Sequence, residues 1–528
     1  MRVADKLLVV LTLAASLASA AFGATITGSV KGPDGKPFMG AFVVAENTQN
    51  KMTVSVLSDA QGRYRMNNLP AATYSVQITA VGYKSDPHNG VQLTADQKTS
   101  FDFALQTGTV RWSDLTTYQG TQLLPKTDKH DLSKTYKEPF FTSCMISCHS
   151  FQKRMASAPR NEQGWTAAVK YMRDTIIGGE GGGNMSDEKV ADYSQFLTAM
   201  FGPNSAKSPD MTEYKKLARP VNPRAMNIAY VEYDFQPDKG QGPWSAVEDK
   251  DGMMWIPYYG RGNQVVKLNP KTAELTRFRL PFNKTAGIHS AVPSPDGTVW
   301  FTEAALGRLG QLDPKTGKIV EFQNPPAENG RRNGTHTVRV GDDGRVWSSG
   351  GPAISMLNPA TKEWAHFDLG GTYGNVVGHN GAEWFTSFRD DGPIGRVSKE
   401  GVLSKFYPPT KGKPQRLQVD DDGVVYFSER VGGKIGRFDP ETETFKEFQL
   451  PGPSPSPYAI AIDKNHMIWY SSHEQDTLNR LDPKTGEVIE YPYPHSEISM
   501  REFFIDSQGR TWYASSVNNK VGYFYINN

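Results

Sequence analysis

The six residues Cys144-Met145-Ile146-Ser147-Cys148-His149 hold both cysteines of the 528-residue chain and set a histidine directly behind the second. Two thiols and an adjoining imidazole are what covalent haem attachment needs. The sulfurs of Cys144 and Cys148 form thioethers with the porphyrin, and the imidazole of His149 ligates iron. The spacing is one residue longer than Cys-x-x-Cys-His, but positions i and i+4 share a helix face, so the geometry survives. The same pair can instead close a disulfide in an oxidising compartment. With two cysteines in all, a disulfide-dense scaffold, a zinc ribbon and a cysteine-ligated iron–sulfur cluster are excluded. A second reactive set lies farther on: His289 and His336, imidazoles suited to general-base work, and Glu303, a carboxylate able to hold a hard cation.

Helices must position the first set. Between about Gly108 and Pro209 the apolar period is helical: Trp165, Ala168, Val169 and Met172 fall on one face, and Val190, Tyr193, Phe196, Leu197 and Met200 follow the helix start Ser186-Asp187-Glu188. The run from Gly178 to Gly183 separates the two helices. The stretch resembles a small class of c-type cytochrome domain in Cys148-His149-Ser150-Phe151, Gly164-Trp165, Val169-Lys170-Tyr171-Met172, Met185-Ser186-Asp187-Glu188 and Phe201-Gly202. That resemblance implies His149 as proximal iron ligand and a methionine as distal ligand, Met172 first and Met185 second. Thioether ligation raises the reduction potential relative to bis-imidazole and suits electron transfer.

A repeat must position the second set. From about Ala218 an aromatic follows a turn at Trp255, Trp300, Trp347, Trp384, Tyr426, Trp469 and Trp512, with gaps of 45, 47, 37, 42, 43 and 43 residues. Seven units of this period predict a seven-bladed β-propeller. The strand Ile228-Ala229-Tyr230-Val231-Glu232-Tyr233 is expected to complete the last blade and close the ring. Eleven residues before each marker stand Trp244, His289, His336, Tyr373, Gln415, Tyr458 and Arg501; three after it stand Tyr258, Glu303, Gly350, Ser387, Glu429, Ser472 and Ser515. Equivalent positions in successive blades meet around the axis, so both sets are expected at one mouth of the channel. Trp244, Tyr373, Tyr458, Arg501 and the neighbouring Arg416 then predict a small ligand that is anionic, aromatic or a sugar.

The runs Asp296-Gly297-Thr298-Val299-Trp300-Phe301-Thr302-Glu303, Gly307-Arg308-Leu309-Gly310-Gln311-Leu312-Asp313 and Gly433-Lys434-Ile435-Gly436-Arg437-Phe438-Asp439 make this segment similar to the streptogramin (virginiamycin) B lyase family. The resemblance implies a histidine base, here His336 or His289, and carboxylates that hold magnesium for ring opening by elimination. Glu303 matches a carboxylate position, whereas Gly334 and Gly350 stand where the pattern places the others.

The remaining sequence sets compartment and spacing. Arg2 and Lys6 precede the apolar run Leu7 to Ala15, and Ala18-Ser19-Ala20 follow, the three parts of an export signal over residues 1–23. The mature chain is thus expected to be periplasmic or secreted, with no membrane span after signal removal. Residues 24–106 alternate apolar and polar, as in Tyr74-Ser75-Val76-Gln77-Ile78, and predict a β-sandwich. With Gly28-Ser29-Val30, Gly35-Lys36-Pro37 and Asp59-Ala60-Gln61-Gly62-Arg63-Tyr64 it resembles the carboxypeptidase regulatory-like family, which implies a spacer or a module for carbohydrate or protein. Lysine and arginine (58) nearly balance aspartate and glutamate (56), which excludes the basic field of a nucleic-acid binder. The expected molecule is mainly β: signal 1–23, sandwich 24–106, cytochrome c-like helical domain 107–215 and propeller 216–528. Three functions are expected in order: an exported haem c electron-transfer protein coupled to a ligand-binding propeller and a redox partner; a magnesium-dependent carbon–oxygen lyase; a non-enzymatic carbohydrate- or protein-binding protein.

Overall fold

The computed structural model describes residues 23–145, 149–177, 185–235, 242–259, 263–281, 285–327, 330 and 332–527. Residues 1–22 of the expected export signal, Cys148 and the run Gly178–Gly183 lie outside the described residues.

Period-two alternation in the N-terminal segment builds two facing sheets. Strands Phe42–Asn47, Thr53–Leu57, Ala72–Thr79 and His88–Leu93 make one, and Ala24–Lys31 with Arg63–Leu69, Lys98–Ser100 and Phe103–Ala104 the other. Their inward residues, among them Ile26, Val43, Val56, Tyr64, Met66 and Tyr74, share a dry core.

Six four-stranded antiparallel sheets follow between residues 247 and 492, one for each of the first six markers. Local chemistry explains the repeat. In the first, sixth and seventh units a turn aspartate stands six residues before the marker and uses both oxygens: Oδ1 of Asp249, Asp463 and Asp506 each accepts two turn amides, and Oδ2 accepts the indole N–H of Trp255, Trp469 and Trp512 at 2.7, 2.9 and 2.7 Å. The marker is thereby buried with its polar atom bonded.

The seventh blade is assembled from both ends of the segment. Lys520–Ile526 pairs antiparallel with Ile228–Asp234 over seven residues, from Ile228 opposite Ile526 to Asp234 opposite Lys520. The free edge of Ile228–Asp234 is then covered by sandwich strand Thr53–Leu57, with Val231 opposite Val54, giving one open eight-stranded sheet. An edge strand that exposes a row of unpaired amides is thus covered, and the sandwich is fixed to the propeller through its backbone.

The helical segment has its own core. Helices Glu162–Tyr171 and Asp187–Phe201 bury Trp165, Val169, Val190, Tyr193, Phe196, Leu197 and Met200 against Phe140, Phe141 and Phe151. Ser186 Oγ accepts the Lys189 amide at 3.2 Å and starts the second helix where the sequence placed its cap.

Candidate functional site at the propeller mouth

Six of the seven residues eleven before the markers, all but Gln415, meet in a circle. The Trp244 indole donates to His289 Nε2 at 2.6 Å, the His289 and His336 rings lie 3.6 Å apart, and His336 lies 4.6 Å from the Tyr373 ring. The Tyr373 and Tyr458 hydroxyls are hydrogen-bonded, the Arg501 guanidinium is 5.3 Å from the Tyr458 ring, and 4.6 Å from Trp244 it returns to the start. The fifth unit contributes Arg416, one residue after Gln415, with its guanidinium over Tyr373 at 5.2 Å and Tyr458 at 5.9 Å. Each residue is delivered by the innermost strand of a blade or the loop leading into it, which is why one sequence offset finds all of them but Arg416.

The residues three after each marker do not join this circle. Glu303 and Glu429 end the second strands of their blades, and their electrostatic neighbours, Glu321 with Arg308 and Glu447 with Lys434, belong to the outer strands. The fourth residue after each marker faces the mouth instead. Tyr259 packs on Trp244 at 4.6 Å and Phe388 on Tyr373 at 5.3 Å, Arg430 lies over Tyr458 at 5.2 Å, and His473 stacks on Tyr458 at 4.7 Å. Successive strand residues point to opposite faces, so a one-residue shift in the offset turns the whole set around. An aromatic-plus-basic count at each offset separates the two: the fourth position reads Tyr, Ala, Gly, Phe, Arg, His, Ser.

Burial fixes the protonation of the imidazoles. His289 and His336 are held well below their ordinary range, chiefly by desolvation, with Arg416 and Arg501 adding repulsion. Both are neutral bases at pH 7. The indole bond to His289 Nε2 puts its proton on Nδ1. Neither histidine is hydrogen-bonded to a carboxylate among the described residues; their side-chain and backbone partners include Trp244, Thr302 and Thr337. Magnesium prefers hard oxygen ligands in octahedral array, so the residues at this mouth do not fit it, Glu303 included.

The helical segment covers this mouth. Glu497 takes the Ser150 and Lys153 amides on its two oxygens at 2.7 and 3.0 Å. Asp476 takes the Thr117 amide and the Gln152 side chain at 3.3 and 2.9 Å. Tyr136 donates to Glu474 at 2.8 Å, and Glu474 in turn pairs with Arg430 at 3.4 Å. Asp476 and Glu497 themselves sit in left-handed backbone, φ 52° and 60°, a strained conformation that aims their loops at the helices. Sequence reasoning missed these docking acids, because their role depends on which surface lands on them.

His149 is buried at this junction. Its Nδ1 lies 2.7 Å from the Ser150 carbonyl, so Nδ1 carries the proton and the lone pair is left on Nε2. Burial, then repulsion from Arg154, lowers it to about 3, with a further push from Arg501 across the junction. Cys144 and Met185 are half-buried on the helical core around Phe141 and Met155, whereas Met172 caps helix Glu162–Tyr171 outside that core.

Known proteins resemble this chain in parts. The virginiamycin B lyase family model matches residues 365–527, and the carboxypeptidase regulatory-like domain model matches residues 25–106. Virginiamycin B lyase from Staphylococcus aureus is 24% identical and aligns with a TM-score of 0.51 over 57% of this chain and 99% of that one. A streptogramin B lyase structure is 25% identical, with a TM-score of 0.51 over 58% and 99%. A lactose permease of Lactobacillus delbrueckii subsp. bulgaricus is 26% identical over 157 residues, 30% of this chain and 24% of the permease. The match thus spans about a quarter of that curated relative's length. Among the described residues no helix is long and apolar enough to cross a membrane. The comparisons place a lyase-like propeller behind a carboxypeptidase regulatory-like domain.

Proposed function

We propose that this is an exported c-type haem protein whose helical segment exchanges electrons with a molecule or partner protein bound at the propeller mouth. The observation that carries the reading is the position of His149: neutral, with its Nδ1 proton held by a backbone carbonyl, on a segment clamped over a circle of aromatic and cationic side chains. Iron-ligating histidines characteristically donate the second ring N–H to such a carbonyl. Cys144 and Cys148 would hold the porphyrin and His149 the iron; Met185 is favoured over Met172 as the distal ligand because it packs on the core that Cys144 shares. Bound haem supplies one-electron transfer. The chain's own residues do the rest. Glu497, Asp476 and Glu474 fix the segment, the helical cover excludes water, and Arg416 and Arg501 with Trp244, Tyr373 and Tyr458 orient an anionic or aromatic ligand.

Intact mass of the mature chain, co-expressed with haem-attachment machinery, tests this. The reading expects the mass of one added haem, lost in Cys144→Ala/Cys148→Ala. A mass lower by two hydrogens, restored by reductant, establishes a disulfide and ends the haem reading.

A second reading is lyase chemistry with His336 or His289 as base. The paired neutral imidazoles and the lyase-like propeller favour it, without the magnesium site. Turnover of a cyclic depsipeptide that disappears in His289→Ala/His336→Ala would establish it.

A further inference from the structure

We propose that Asp420, Asp422 and His466 form a binding site for a divalent metal ion of the zinc class, on the face of the propeller opposite the mouth.

Two neighbouring blades bring these residues together. The inner strands Pro414–Val419 and Pro457–Ile462 lie side by side. They carry Arg416 and Tyr458 near the mouth and run away from it into tight turns, after which Val425–Glu429 and Ile468–Ser472 return. The turns of the fifth and sixth blades therefore meet at the far end of the strands. There one carboxylate oxygen each of Asp420 and Asp422 and a ring nitrogen of His466 lie within 4.8 Å of one another. The helical segment docks at the other end.

The bonding of Asp420 points to a ligand. Four blades have an aspartate six residues before the marker: Asp249, Asp420, Asp463 and Asp506. In the other three, Oδ2 accepts the indole N–H of the marker tryptophan. Asp420 keeps only the turn half of this arrangement, with Oδ1 accepting the Asp422 and Val424 amides at 3.0 and 2.8 Å. Its marker is the one tyrosine of the series, Tyr426, whose hydroxyl sits beside the Arg437 guanidinium instead. Among the described residues no donor reaches Asp420 Oδ2, although Asp420 is only 7% exposed. A buried carboxylate oxygen left without a donor or a cation is costly. A metal ion where Asp422 and His466 converge on Asp420 supplies the missing charge.

The imidazole departs from the repeat as well. The equivalent turn position is Gly252, Gly297, Gly344, Gly381, Gly423 and Gly509 in the other six blades, every one at positive φ. The sixth blade alone places a side chain there, His466 at φ 57°. Glycine suits that backbone better, so the histidine is not there for the turn. The adjoining Asp421 points elsewhere, to His379 at 3.4 Å.

Donor chemistry sets the ion. One imidazole nitrogen with two carboxylate oxygens suits zinc or its neighbours in the first transition row, whereas calcium and magnesium take oxygen sets. Three protein ligands leave a further position for water. The bound ion ties the turns of the fifth and sixth blades together and stabilises the folded chain according to its occupancy.

Calorimetric titration of the metal-free, full-length mature chain with zinc chloride, and its thermal unfolding at each zinc concentration, test the proposal. The parent is expected to bind a zinc ion that Asp420→Asn and His466→Gly do not, and its unfolding midpoint to rise with zinc where theirs do not. Should Asp420→Asn fail to fold, His466→Gly still decides, because it restores the residue of the six other turns. Equal zinc stoichiometry and an equal rise in the parent and His466→Gly overturn the proposal. A calcium response that equals the zinc response and survives in His466→Gly overturns it too, since the acids alone would then hold a hard cation. Neither result bears on the haem reading, which the intact mass decides separately.

Discussion

Buried acids set the behaviour of the molecule at the scale of single residues. Glu303, Glu383, Glu429 and Asp476 are each raised to about 8, in every case chiefly by desolvation. A carboxyl with a raised folded-state pKa contributes stability that is complete below its unfolded value and is lost as pH rises through the folded one. The buried histidines act the other way: their folded values lie below about 6.5, so their contribution is complete above that pH and lost below it. Above pH 6.5 the histidine contribution is flat and the carboxyls dominate, so stability falls between pH 6.5 and 8. Glu383 isolates the effect. Its Oε1 accepts the Asn375 amide at 2.7 Å, an interaction glutamine retains. Glu383→Gln is expected to match the parent near pH 4.5 and to gain on it by up to ~1.4 kcal/mol per pH unit, levelling near pH 8. Urea unfolding across that range checks it, and an unchanged difference at all pH values would show that Glu383 is ionised in the fold.

At the scale of elements, the first, sixth and seventh blades hold their marker tryptophan through a turn aspartate. Asp463→Ala removes the acceptor of the Trp469 indole and of the Asn465 and Met467 amides, and leaves a buried N–H without a partner. It is expected to cost ~1–3 kcal/mol, read as a lower denaturation midpoint at unchanged slope. A turn followed by an aromatic is why the seven-unit repeat was legible from sequence: the pair recurs every 37 to 47 residues. The pairing of Ile228–Asp234 with Lys520–Ile526 was legible for the same reason, because one blade lacked a strand and one strand lacked a blade. Its coverage by Thr53–Leu57 was not, since nothing local to either strand encodes which edge a separate domain will pair with. The candidate site divides similarly. The circle from Trp244 to Arg501 follows from one offset, whereas Glu303, one residue from the position that faces the mouth, turns to the outer strands, and Arg430 and His473 occupy the facing position. Glu474, Asp476 and Glu497 carry no periodic signal at all.

Three segments form one molecule through two joints: a backbone seam between sandwich and seventh blade, and acid-to-amide clamps between helices and propeller. The second joint is functional in the proposed account. His149 lies where Arg501 bears on it from the propeller side, so a change of charge at the mouth is felt at the helical segment. Arg501→Gln is accordingly expected to shift the midpoint potential of the holoprotein downward, because removing a nearby cation favours the oxidised, more positive centre. Potentiometric titration reads the shift, and an identical potential would separate the mouth from the haem. The most direct test comes before it: the reduced-minus-oxidised visible spectrum of the purified mature protein made with haem-attachment machinery. The account predicts the sharp alpha band of a c-type haem, altered in His149→Ala. A protein that folds, keeps its propeller and shows no such band would contradict it.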